Sequence, residues 1–105
     1  MSDDLRAKLR SEIQAVDAAA LLPHQRRDAL LVLEPSVDLL DIAVAIAKDD
    51  VAAITGLIAD GRLSKPDLGE LADWCVDVEL RFQFVIVQPY VLAQKLPKKA
   101  AQARN

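Results

Sequence analysis

Fifteen consecutive residues, Leu80 to Gln94 (LRFQFVIVQPYVLAQ), contain one charged side chain, Arg81. β-Branched and aromatic residues dominate the run and Gln88-Pro89 interrupts it, which predicts a strand, a break and more extended chain. Leu80, Phe82, Phe84 and Ile86 share one face of the first strand, and Arg81, Gln83, Val85 and Val87 share the other. The second face turns apolar toward Val87, as expected where part of a strand is covered on both sides. The chain before this run is patterned mainly for helices, so the run makes the fold α+β rather than a helical bundle.

Helix signals recur upstream. Ser2-Asp3-Asp4 offers a capping side chain and acids near the positive end of a helix dipole. Leu5, Leu9, Ile13 and Val16 follow at helical spacing. Asp17 is placed to cap a short second helix through Ala18, Ala19, Ala20, Leu21 and Leu22, which Pro23 ends or kinks. The stretch from Pro23 to Asp28 reads as polar and solvent-facing. Asp38 or Ser36 opens Leu39 to Ala47, apolar on nearly every side and therefore the expected central buried helix. Asp49 or Asp50 caps the next helix, whose stripe is Val51, Ile54, Leu57 and Ile58 and whose stop is Gly61. Ser64-Lys65-Pro66-Asp67 is a further start signal, with Leu68, Leu71 and Cys75 inward and Trp74 flanking them.

The short apolar run Ala29–Leu33, closed by Glu34-Pro35-Ser36, fits a buried strand and a turn. The economical fold class is α+β: about four to five helices packed on one face of a small antiparallel sheet of two or three strands. Ala29–Leu33, Leu80–Val87 and Tyr90–Ala93 are the expected strands. Pro89 cannot donate a ladder hydrogen bond and belongs at a turn, bulge or sheet edge. Residues 1–94 are expected to form one globular domain, and residues 95–105 a basic, flexible tail.

The charge is unevenly spread. Residues 95–105 hold Lys95, Lys98, Lys99 and Arg104 and no acid; of thirteen basic residues nine remain in residues 1–94, against sixteen acids. A body that acidic is repelled by phosphates, and the tail lacks interleaved aromatics for base stacking, so nucleic acid is not an expected partner. A single Cys75 forms no internal disulfide, and no secretory signal opens the chain, which makes a reducing cytoplasm the expected compartment. No apolar run approaches membrane-spanning length.

At Leu40 to Asp50, LDIAVAIAKDD, and again at Phe84 to Gln94, FVIVQPYVLAQ, the chain resembles a family of short bacterial proteins known as a domain of unknown function. The likeness takes in the opening LRAKLRSEI, the helix ending at Asp60-Gly61 and the region of Trp74, and spans most of residues 5 to 94 in order. Members of that family carry aromatic residues in the second helix, where this chain has Ala18-Ala19-Ala20-Leu21-Leu22-Pro23. The resemblance implies a fold; it carries no activity or site residues.

Catalytic constellations are sparse. Cys75 and His24 are the one pair of types suited to nucleophilic catalysis, yet Cys75 lies on an inward helix side and His24 in a polar stretch. One His and one Cys do not make a zinc site, and the isolated Gly56, Gly61 and Gly69 make no phosphate loop. Arg26-Arg27 could meet an anion, but Asp28 beside them offers local pairing. Two readings remain. The first is a non-catalytic interaction module, without a cofactor, that meets a protein partner or self-associates through Trp74, Pro89, Tyr90 and an unpaired edge of the last strand. The alternative is a carboxylate site for magnesium or calcium, binding or catalytic, built from Asp38, Asp41, Asp49 and Asp50.

Overall fold

The computed structural model describes residues 2–96, with side chains from Asp4 onward; the remainder of the expected basic tail lies outside the described residues. In chain order the elements are α1 (Ser2–Glu12), β1 (Gln14–Asp17), a 3-10 turn (Ala18–Leu21), α2 (Leu22–Arg26), β2 (Leu30–Leu33), α3 (Leu39–Ala47), α4 (Val51–Ala59), β3 (Leu63–Ser64), α5 (Leu68–Cys75), β4 (Arg81–Val87) and β5 (Tyr90–Lys95). The strands form one mixed sheet in the order β1-β4-β5-β2-β3. The α+β class holds, but the sheet has five strands rather than two or three, and β2 runs parallel to β5.

β4 and β5 form the hairpin that the apolar run demands. Val87 pairs with Tyr90 across a two-residue turn, Gln88-Pro89, whose peptide bond is cis. Side chains alternate through the hairpin: Phe82, Phe84, Val91 and Ala93 meet one core, and Val85, Val87 and Leu92 meet the other. Both faces are apolar, so both must be covered. α1, α3 and α4 pack on the Val85 side, while the 3-10 turn, α2 and α5 pack on the Phe82 side. This corrects the expectation of helices on one face.

Two further corrections concern strands that periodicity hides. Ile13 and Val16 do not continue α1, because the chain leaves the helix at Glu12 and pairs Gln14–Asp17 with Arg81–Phe84. Ser64 does not cap a helix; it pairs with Val32 at the opposite sheet edge, and Asp67 caps α5 instead, its Oδ1 accepting from the Glu70 N–H at 2.8 Å. In both places a segment of two to four residues carries too few side chains to show a period, and the neighbouring strand decides. Pro23 likewise begins α2 rather than ending a helix, since its missing N–H costs nothing in a first turn.

Aspartates punctuate the chain. Asp17 Oδ1 accepts from the Ala20 N–H (3.1 Å), Asp38 Oδ1 from Leu40 (3.0 Å) and Asp50 Oδ1 from Ala53 (3.2 Å). α2, α3 and α4 end alike, with a left-handed residue at Asp28 (φ 59°), Asp49 (φ 59°) and Gly61 (φ 77°). In each, the N–H of that residue and of the next reach back to helix carbonyls, as from Asp49 to Ile46 and from Asp50 to Ala45. Asp50 therefore closes α3 and opens α4 at once, and fixes the angle between them.

One polar side chain is buried among the described residues. Gln94, 4% exposed, accepts from Gln83 Nε2 at 2.7 Å and donates its own Nε2 to the Glu34 carbonyl (2.9 Å) and the Val37 carbonyl (2.5 Å). It ties the hairpin to the loop that leads into α3.

His24 supplies a pH-sensitive contact. Burial first, then the Arg27 guanidinium, lower its pKa from the ordinary 6.5. Arg27 Nη2 lies 2.7 Å from Nδ1 and can only donate, so Nδ1 is the unprotonated nitrogen of a neutral ring. The unfolded chain then takes up this proton at a higher pH than the folded one. The contribution of His24 is complete above pH 6.5 and is lost as pH falls through the lowered folded pKa. Urea midpoints measured from pH 7.5 down to 5 are expected to decline less in His24→Gln than in the native protein; parallel declines would refute this.

Candidate functional site

The helix α4 is out of keeping with its surroundings. Its sequence, VAAITGLIA, has no charged residue, yet none of its side chains is fully buried. Ile54 and Leu57 are half-buried against the core, whereas Val51 (65%) and Ile58 (53%) stand exposed. The stripe read from spacing thus splits. α4 is held between α3 and β3 by one narrow row, and the rest of its apolar surface faces outward. A surface helix ordinarily turns a polar side to water.

Beside α4 lies a cleft of about 420 Å³. Leu31 and Ile46 line it with Val51, Ile54 and Ile58 of α4, and Pro89 and Tyr90 of the hairpin turn stand in its wall. Its polar groups are Asp49, Asp50, Thr55, Lys65 and Gln88. Lys65 Nζ is engaged by Asp28 at 3.2 Å, and Asp50 is occupied in part by its cap. The cleft is therefore apolar along α4 and acidic where α3 meets α4.

Pro89 and Tyr90 are brought together here, at an exposed turn, with Tyr90 36% exposed. Trp74 is not part of the same surface. Its ring lies 5.4 Å from that of Phe82, tilted by 49°, on the other side of the sheet, and Lys95 Nζ sits 4.8 Å from its ring centre. Tyr90 and Lys95 are five residues apart on one strand and so point to opposite faces. The strand itself offers no free edge: β5 lies between β4 and β2, paired with both, and the sheet edges are β1 and β3. This corrects the expected edge, and the reason is the parallel pairing of β2, which a reading of hairpins alone does not supply.

The four aspartates fall into two pairs. Asp38 caps α3 and Asp41 lies in its first turn, while Asp49 and Asp50 follow its end, roughly 13 Å away along nine residues of helix. Arg6 of α1 sits between the first pair, 2.7 Å from Asp41 and 3.7 Å from Asp38. Among the described residues no group of three or more histidine, cysteine or carboxylate side chains is placed to hold a metal ion. Cys75 is a free, half-buried thiol packed against the core that holds Phe82. The exposed helix α4 was missed as a site because its spacing suggests a buried stripe; its lack of any charge was the available signal.

No helix among the described residues is long and apolar enough to cross a membrane. No curated protein matches the chain. Among solved structures it is similar to PA1075 from Pseudomonas aeruginosa, determined by NMR in solution, at 32% identity and a TM-score of 0.76; the match covers 91% of this chain and 88% of that one. A family model described as "Protein of unknown function (DUF2288)" matches residues 4–95. With nearly all of its folded body inside that match, the chain belongs to this family of proteins of unknown function.

Proposed function

We propose that this protein is a non-catalytic interaction module of the cytoplasm that docks another protein on α4 and the adjoining hairpin turn. The observation that carries this reading is α4 itself, nine residues without a charge and without one fully buried side chain. Apolar surface gathered in one place on an otherwise charged protein marks a contact surface. Pro89 and Tyr90 extend it, and a tyrosine contributes contact area at low entropic cost. Single exposed valines elsewhere, such as Val76 and Val78, need no such account. The carboxylate reading lacks comparable support, because Arg6 already pairs with Asp41 and Asp38 and helix α3 separates them from Asp49 and Asp50.

The test compares three full-length proteins: the native chain, Ile58→Lys, and Val78→Lys as a control on another surface. Both replaced positions are more than half exposed, so melting should change by no more than about 0.5 kcal/mol. Sedimentation of each, alone and after cross-linking in bacterial lysate, should reveal an assembly that Ile58→Lys abolishes and Val78→Lys keeps. An assembly indifferent to Ile58, or none at all, would overturn the reading. A second copy of this chain is one protein able to meet the surface, and sedimentation of the purified chain separates that case from a different partner.

A further inference from the structure

Resting on that reading, we infer that the occupant of the α4 cleft is an amphipathic helical segment of a partner protein, apolar on one side and carrying lysine or arginine beside it. Charge sets the sign. The cleft wall holds one cation, Lys65, and it is paired with Asp28. Asp49 and Asp50, both exposed, form the acidic end. Asp50 spends one oxygen on the Ala53 N–H. The body around them has nine basic residues against sixteen acidic ones through residue 94, so its long-range field also favours a basic partner. A second copy would bring a net charge of the same sign, −3 for the full chain, which opposes its approach.

Shape favours a helix. Val51, Ile54, Thr55 and Ile58 of α4 line the cleft at i, i+3, i+4 and i+7, one stripe of the helix running along it. A stripe at that spacing is the ridge a second helix packs against, at the 8–10 Å typical of helix pairs. Val51 and Ile58 would then interdigitate with the incoming apolar row, with Pro89 and Tyr90 closing one side. An extended peptide has no ladder to join there, because the floor residue Leu31 lies in β2, which is paired on both sides by β5 and β3. The stripe runs nearly the whole length of α4, from Val51 to Ile58, which suits a chain segment better than an enclosed small molecule.

Two synthetic amphipathic peptides test this, sixteen residues long with one leucine-alanine face, their polar positions being lysine in one and glutamate in the other. Each is titrated into full-length, isotope-labelled protein and followed by backbone amide shifts. The lysine peptide should bind at least tenfold more tightly, move the amides of Val51 to Ile58 and of Tyr90, and lose most of its advantage in high salt. Asp49→Asn with Asp50→Asn should reduce the advantage severalfold; asparagine tolerates the left-handed backbone at position 49 and still caps α4 from position 50. Equal binding of both peptides at the cleft would overturn the charge assignment and leave docking on α4 standing. Concentration-dependent shifts of the same amides without peptide would make a second copy the occupant and overturn the basic-partner assignment alone. If neither peptide moves the α4 amides, both the inference and the docking surface fall.

Discussion

Replacing Phe82 by alanine is expected to remove about 3–5 kcal/mol of stability, the range for emptying a large aromatic site in a core. Phe82 is fully buried near the start of β4, between Val16 of β1 and Lys95 of β5, with its ring against Trp74. It joins the 3-10 turn, α5 and the sheet into the second core, among Leu21, Leu30 and Leu71. A domain of this size loses about 4–8 °C per kcal/mol, so the melting temperature should fall by about 12–40 °C. Trp74 fluorescence reports the same event from the ring next to the gap. Phe82→Leu, which keeps most of the volume, should cost only about 1–2 kcal/mol. A loss below 1 kcal/mol for the alanine variant would mean that this core is not closed around Phe82.

The second large effect is expected at Gln94. Gln94→Leu leaves the Glu34 and Val37 carbonyls without their side-chain donor and Gln83 without its acceptor. An unsatisfied buried group costs about 1–3 kcal/mol, and water reaches part of this site through Gln83, so a loss of about 2–4 kcal/mol is expected. Gln94→Glu separates hydrogen bonding from shape. Its carboxylate would face two carbonyl oxygens with nothing to donate, whereas the protonated acid can donate one bond. The folded state therefore raises the pKa of that carboxyl above the ordinary 4.3 or so of the unfolded chain. Relative to the native protein, the Glu variant should be most stable below the unfolded value and lose ground as pH rises through the raised one. The deficit of the Leu variant should stay flat over the same range. Urea titrations of the three proteins between pH 4 and pH 8 decide it; parallel curves for Glu and Leu would show that the carbonyls are not what Gln94 serves.

Both effects sit in the hairpin that was legible from residues alone. Alternation through Leu80–Val87 correctly separated Phe82 from Val85, and Asp17, Asp38 and Asp50 cap the elements they precede. The candidate site was less legible. Pro89 and Tyr90 stand together on the cleft, but Trp74 lies across the sheet and the last strand has no free edge.

Local chemistry by itself determined the α+β class, the starts of α3 and α4 at Asp38 and Asp50 and the alternation along β4, because these depend on alternation, capping and propensity within a few residues. Only the tertiary structure decided the rest. β1 and β3 are strands because β4 and β2 lie beside them; four or two residues have no period of their own. β2 joins β5 in parallel because the chain crosses over between them, a pairing no local signal encodes. Whether the apolar stripe of α4 is buried also lay beyond spacing. A period states which side chains share a face, and only the neighbours of that face, here α3 and β3 along one narrow row, decide how much of it meets water.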